Sequence, residues 1–282
     1  MSTENQEYFF YWIKEREKIR EKKELGWAKP WTEDPVLQSY KFCNVRREDD
    51  RVTKWIKTNW RDPYKDNVNM YFAMCVARLF NWPDTLDAIG FPKVLNWDRH
   101  KEQWRTILKH RRDKGVKIFT GAYLVSTNGV KMDKIDYILD RVLTPIWERA
   151  LSPVQLSVTM TCQEYWEYLL QFDGLGSFMA GQIVADLKYI DPILEKATDW
   201  MDWAPLGPGS IRGLNRFFGR DVKKSISQEK GLAEIRYIKQ LIKERLDLDL
   251  PAHDVQNCLC ETDKFIRLKK GEGKTRSTYP GV

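Results

Sequence analysis

The stretch Gln171-Phe-Asp-Gly174-Leu-Gly176-Ser177-Phe-Met-Ala180-Gly-Gln-Ile183 constrains the fold of this chain most. Apolar residues at helical spacing flank a Gly-x-Gly, which reads as two helices joined by a tight hairpin. Glycine tolerates the positive-φ turn and lets backbone N–H groups at the start of the second helix approach a phosphate closely. Such a hairpin suits a nucleic-acid backbone, and Gly174, Gly176 and Ser177 are its candidate contacts. The other reading is a Gly-rich turn between two core helices.

At 282 residues with 42% hydrophobic content, the chain can form one large domain or two small ones. The excess of Lys and Arg over Asp and Glu, 47 against 40, suits a polyanionic partner without proving one. Twelve Trp, twelve Tyr and twelve Phe supply rings able to stack on an extruded base as well as a core. No apolar run approaches the roughly 18 residues of a membrane span, and the N-terminus lacks a signal-type pattern, so a cytoplasmic monomer with no membrane contact is expected.

Helical periodicity dominates. Helices are predicted over 8–24, 46–60, 67–81, 98–112, 132–150, 162–172, 177–189, 210–218, 229–246 and 252–269. The β-rich composition of 116–127 leaves open a short strand or a buried helix start. The expected organisation is an N-terminal helical extension over 1–34, a catalytic domain over 35–270 formed of one body or two lobes, and a loose tail over 271–282. Five scattered cysteines fit reduced thiols, because Cys258 and Cys260 would point to different faces of one helix. His100, His110 and His253 are expected in solvent or capping roles.

Three constellations carry possible chemistry. In the first, Asn44, Arg47 and Asp50 lie three residues apart, which would align them on one helical face. A capped, salt-bridged helix entry is the alternative. The second is Asp199-Trp200-Met-Asp202-Trp203, followed by Gly207-Pro-Gly209-Ser210-Ile-Arg212, where an acidic loop meets a helix start whose free N–H groups and positive dipole end suit a phosphate. In the third, Asn257, Glu261 and Lys264 share a face of the predicted helix over 252–269, a pattern that an ordinary amphipathic helix also shows.

The hairpin pattern resembles the helix-hairpin-helix of DNA glycosylases, whose catalytic aspartate follows the second hairpin glycine at about the distance of Asp199 and Asp202. Taken in order, the Asn-x-x-Arg-x-x-Asp, Asp-Trp…Gly-Pro-Gly-Ser and Cys-Glu-x-Asp-Lys-Phe motifs resemble a phage and bacterial family, the 5-hydroxymethyluracil DNA kinase helical domain. That family is allied to the α-glutamyl/putrescinyl thymine pyrophosphorylases. The resemblance implies a mostly α, multi-helical, helix-hairpin-helix glycosylase-like fold acting on a flipped base in double-stranded DNA.

The implied chemistry displaces pyrophosphate from a pyrophosphorylated 5-hydroxymethyluracil with an amino acid or amine. Carried over by motif, Asn44, Arg47 and Asp50 match the first, Asp202, Gly207, Gly209 and Ser210 the second, and Glu261, Asp263 and Lys264 the third. Asp199 competes with Asp202 as the catalytic carboxylate. The implied reaction would use Arg47, Lys264 and Arg212 as cations for the leaving pyrophosphate and Asp202 as the proton acceptor, with Gly207, Gly209, Ser210 and Arg212 as DNA contacts. Trp200 and Trp203 would wall a base pocket, and Arg47, Asp50, Glu261 and Lys264 would converge on the cleft holding Asp202. A monofunctional glycosylase and a non-catalytic DNA-binding partner of a base-modifying kinase are the alternative functions. Phe178 stands where glycosylase/lyases carry lysine, so Schiff-base strand scission is not expected. Gly273-Lys-Thr275 lacks the earlier glycine of a P-loop, since Leu268 occupies that position. Mg²⁺ would suit carboxylates beside a pyrophosphate, but no dedicated ligand set or cofactor motif is present.

Overall fold

The computed structural model describes residues 3–93, 96–120, 125–149 and 160–272, and among these the regular elements are helices. In chain order they are α1 (Glu4–Glu24), α2 (Pro35–Ser39), α3 (Arg51–Ile56), α4 (Met70–Phe80), α5 (Pro83–Ile89), α6 (Trp97–Asp113) and α7 (Lys134–Asp136). Then follow α8 (Thr144–Glu148), α9 (Cys162–Leu169), α10 (Ser177–Leu187), α11 (Pro208–Phe217), α12 (Gln228–Leu246) and α13 (Ala252–Lys269). The chain divides into two compact units, one formed by 1–50 with 201–282 and the other by 51–200.

The first unit is organised around α13, which packs against α1, α2, α11 and α12. Thr3 and Gln6 form a capping box at the start of α1. One face of α1, with Phe9, Trp12, Ile13, Arg16 and Ile19, is buried, and at its C-terminal end the partly buried Arg20 pairs with Glu17 and Glu24. Its rings meet those of the C-terminal helices edge-on: Phe9 lies 5.3 Å from Phe217 and Tyr8 6.1 Å from Phe265.

The approach of α11 to α13 depends on missing side chains. A Cβ on Gly209 would stand 2.2 Å from Cys260 Sγ, and one on Gly213 would stand 2.2 Å from the Leu259 carbonyl oxygen. A backbone carbonyl cannot rotate aside. Alanine is the better helix former by about 1 kcal/mol, so Gly213→Ala would stabilise an unpacked helix. Here it is expected instead to lose about 1–3 kcal/mol through overpacking, read as a lower urea midpoint; a stability gain would refute this account of the glycine.

In the second unit, every residue of α4 is buried. This helix packs against α5, α10 and the π-helical segment Tyr137–Leu143. Arg78 of α4 forms a buried bidentate ion pair with Asp186 of α10, completed by Thr53 Oγ1 at 3.1 Å and Asn81 Oδ1 at 3.0 Å. The hairpin precedes α10: Gly174 has φ +80°, and a Cβ there would meet Val142 Cγ2 at 2.7 Å. Gly176 is the extended N-cap of α10, with open space where its side chain would be.

Two local expectations change. The predicted helix over 46–60 is a 3₁₀ turn (Arg47–Asp49), then α3, then a π segment (Lys57–Arg61). The β-rich stretch is irregular over its described part; Thr85 Oγ1 donates to the Ile118 carbonyl, which satisfies that backbone without a ladder. Residues 121–124 of that stretch and the Gly273-Lys-Thr275 sequence lie outside the described residues.

Candidate active site

One polar face of α13 grips the segment 41–50 of the same unit. Asp254, Asn257, Glu261 and Lys264 recur at helical spacing, and each bonds the backbone of that segment. Asp254 Oδ1 accepts from Arg47 N at 3.1 Å, and Asn257 Nδ2 donates to the Asn44 carbonyl at 3.5 Å. Glu261 Oε2 accepts from Cys43 N at 3.1 Å, and Lys264 Nζ donates to the Lys41 carbonyl. Side-chain pairing replaces i→i−4 bonding, so the segment is not an α-helix and holds only the short 3₁₀ turn Arg47–Asp49. Asn44, Arg47 and Asp50 therefore do not share a helical face, as their spacing predicted.

They meet by another route. Asp50 Oδ1 accepts from Asn44 N at 2.9 Å, and Asn44 Nδ2 donates to the Asp49 carbonyl at 2.8 Å. Arg16, buried on α1, donates to Asn44 Oδ1 at 2.9 Å and to the Cys43 carbonyl at 3.0 Å. Arg47 is buried, and Lys264 Nζ lies 3.4 Å from Glu261 Oε2 and 4.4 Å from the Phe42 ring centre. Burial pushes the Asp50 carboxyl up to about 6, and Glu261 adds to the rise; the Asn44 amide and the Arg47 and Arg16 guanidiniums oppose it. Asp50 nevertheless keeps partial exposure. It is a carboxylate near its titration point among fixed cations, which suits proton transfer at neutral pH.

The other candidates have different surroundings. Asp202 is half exposed and accepts from Lys239 Nζ at 2.6 Å; among the described residues it bonds to no member of the Asp50 cluster. Asp199 belongs to the second unit, where it accepts from Cys162 N at 2.7 Å and Gln163 N at 3.1 Å and so caps α9. Trp203 is buried in the core of the first unit beside His253, 5.4 Å between ring centres. His253 is thus a core side chain, in contrast to its expected solvent or capping role. Trp200, in the second unit, donates Nε1 to the Lys188 carbonyl at 2.5 Å.

At the start of α11, Gly207 is the N-cap and the buried Ser210 hydroxyl bonds back to Gly207. Gly209 serves the contact with Cys260. Arg212 donates Nε to Asp263 Oδ2 at 2.8 Å.

Sequence reasoning passed over Arg16, Lys239, Arg216 and Arg267. The one available signal was Arg16, a charge on the apolar face of α1. All five cysteines are free. Among the described residues, no group of three or more His, Cys, Asp or Glu side chains is arranged to hold a metal, and no helix is long and apolar enough to cross a membrane.

The family model of the 5-hmdU DNA kinase helical domain matches residues 3–275. A curated relative, the 5-hmdU DNA kinase of Bacillus phage SP10, is 26% identical over 230 residues, which cover 74% of this chain and 36% of that protein. The chain thus spans little more than a third of the length of that relative. No solved structure matches it.

Proposed function

We propose that this chain, which belongs to the 5-hmdU DNA kinase helical-domain family, acts on a 5-hydroxymethyluracil-derived base in DNA and displaces pyrophosphate from its exocyclic carbon with an amine or amino acid. The observation that carries this reading is Asp50: a partly exposed carboxyl raised to about 6 and surrounded by Arg16, Arg47 and Glu261. In the reaction, the ammonium of the nucleophile gives a proton to Asp50, its nitrogen bonds to the exocyclic carbon, and the carbon–oxygen bond to pyrophosphate breaks. Cations take up the charge of the leaving group.

Asn44 fixes Asp50, and Glu261 with Lys264 fixes the loop that carries both. Asp202, half exposed and paired with Lys239, has less support as the proton acceptor. The Gly174–Ser177 turn between α9 and α10 is assigned to the DNA backbone, in the manner of a glycosylase helix-hairpin-helix, because Gly176 leaves open space at the start of α10.

The test incubates the protein and a candidate amine with duplex DNA containing thymine, 5-hydroxymethyluracil or its pyrophosphate, then digests the DNA and weighs the nucleosides. An amine adduct formed only from the pyrophosphorylated base is expected. Release of free base would show a glycosylase, and unchanged nucleosides on bound DNA would leave a non-catalytic binding module.

A further inference from the structure

Three guanidinium groups converge on one fully buried carboxylate, Asp263 of α13. Arg212 Nε donates to Oδ2 at 2.8 Å, Arg216 Nε donates to Oδ1 at 2.8 Å, and Arg267 Nε lies 3.3 Å from Oδ2. One negative charge cannot balance three positive ones. Glu272 meets Arg216 Nη2 at 2.5 Å, which leaves Arg212 and Arg267 sharing the charge of Asp263.

Arg212 hydrogen-bonds Asp263 through Nε, whereas Arg267 Nε approaches it as an ion pair without a hydrogen bond. Among the described residues their terminal nitrogens make no hydrogen bond, and their side chains are 39% and 30% exposed. The Nε hydrogen bond to Asp263 fixes the Arg212 fork, the ion pair with Asp263 holds Arg267 nearby, and their terminal N–H groups face solvent, an arrangement suited to capture of phosphate oxygens.

Cys260 of α13 senses charges from both sides: its thiol is raised to about 11 by burial first, with Glu261 and Asp263 contributing and Arg212 and Lys264 opposing. Lys264 and Glu261 pair with each other, whereas Arg212 and Arg267 share the single charge of Asp263 with Arg216.

We propose that Arg212 and Arg267, held by Asp263 as a positioning residue, form the pyrophosphate-binding site of this chain. The assignment rests on the displacement reaction proposed above and names the cations that receive its leaving group. Arg216, turned toward Glu272, supports the fork and does not bind the ligand.

The test titrates the full chain with inorganic pyrophosphate by calorimetry at fixed ionic strength, without DNA or amine, and separately measures duplex DNA affinity against salt. Arg212→Gln and Arg267→Gln are each expected to weaken pyrophosphate binding about 10-fold or more with an unchanged circular-dichroism spectrum, because each removes one charged fork. Arg267→Lys, which keeps the charge and loses the fork, should fall between wild type and Arg267→Gln. Asp263→Glu tests positioning, since it keeps the charge and displaces both forks; a folded variant that binds pyrophosphate as wild type does would overturn that role.

Pyrophosphate affinity indifferent to both glutamine variants would overturn the site. So would variants that only lower DNA affinity and its salt slope, which would assign the fork to backbone phosphates. The binding readout needs no turnover. Fork-dependent pyrophosphate binding without base conversion would sink the displacement reaction alone, and conversion with fork-independent binding would sink this site alone.

Discussion

Asp186→Asn is expected to destabilise the second unit by about 3–5 kcal/mol, because it leaves the Arg78 guanidinium buried without its countercharge. Arg78 and Asp186 are 1% and 0% exposed, and both carboxylate oxygens accept from the guanidinium. Thr53 and Asn81 satisfy further N–H groups of Arg78, so the charge cannot turn toward solvent without breaking the join of α4 to α10 and the bond to Thr53 of α3. Replacing both partners by apolar residues, as in Arg78→Met with Asp186→Leu, removes the stranded charge and is expected to recover most of the loss. Urea denaturation of the two single variants and the double variant measures this asymmetry. A single variant within about 1 kcal/mol of wild type would show that water reaches the pair and that it does not anchor α10, the helix that begins at the hairpin.

How much of this was legible in the sequence depends on the range of the interactions. The helix predicted over 252–269 has the observed bounds of α13, and the predicted second helices of the hairpin and of 229–246 nearly coincide with α10 and α12. Their apolar residues repeat at a period set by local geometry. The short helices Pro35–Ser39 and Pro83–Ile89 escaped because neither is long enough to show a period, although Asp34 caps the first.

The segment 41–50 misled for a physical reason. Its i, i+3, i+6 polar spacing mimics a helix, yet the backbone is taken by Asp254, Asn257, Glu261 and Lys264 from more than two hundred residues away, and no local pattern encodes such partners. The structure brings Asn44, Asp50 and Glu261 to one segment, but not on the shared helical face that the spacing predicted. The acidic loop shows the converse. Asp199 and Asp202 looked equivalent in sequence, and only the fold separates a helix cap from a half-exposed partner of Lys239.

Asp50→Asn is expected to lower turnover on the modified base about 10²-fold or more while leaving DNA affinity near wild type, since it removes a proton acceptor and keeps the shape. The wild-type pH profile tests the same assignment independently. A carboxyl raised from 3.8 to about 6 is protonated below that value, so kcat/KM should rise with pH through about 6 and level off above it. The groups that set this value are the burying protein and Glu261 on one side and the Asn44 amide, Arg47 and Arg16 on the other. Arg47→Ala should therefore move the limb to higher pH, because it removes a charge that favours ionised Asp50.

Stability responds with a defined sign. Between the ordinary carboxyl value and about 6 the native state holds this proton more tightly than the unfolded chain does, so the contribution of Asp50 to stability grows as pH falls through that window and is lost as pH rises through 6. Asp202→Asn is the necessary comparison. With half of its side chain in solvent and only Lys239 to lose, it is expected to retain turnover within a few-fold of wild type. If Asp202→Asn is inactive while Asp50→Asn turns over normally and shows the same limb near pH 6, the proton acceptor is Asp202, and the Asp50 cluster is a polar clasp that holds the segment 41–50 on α13.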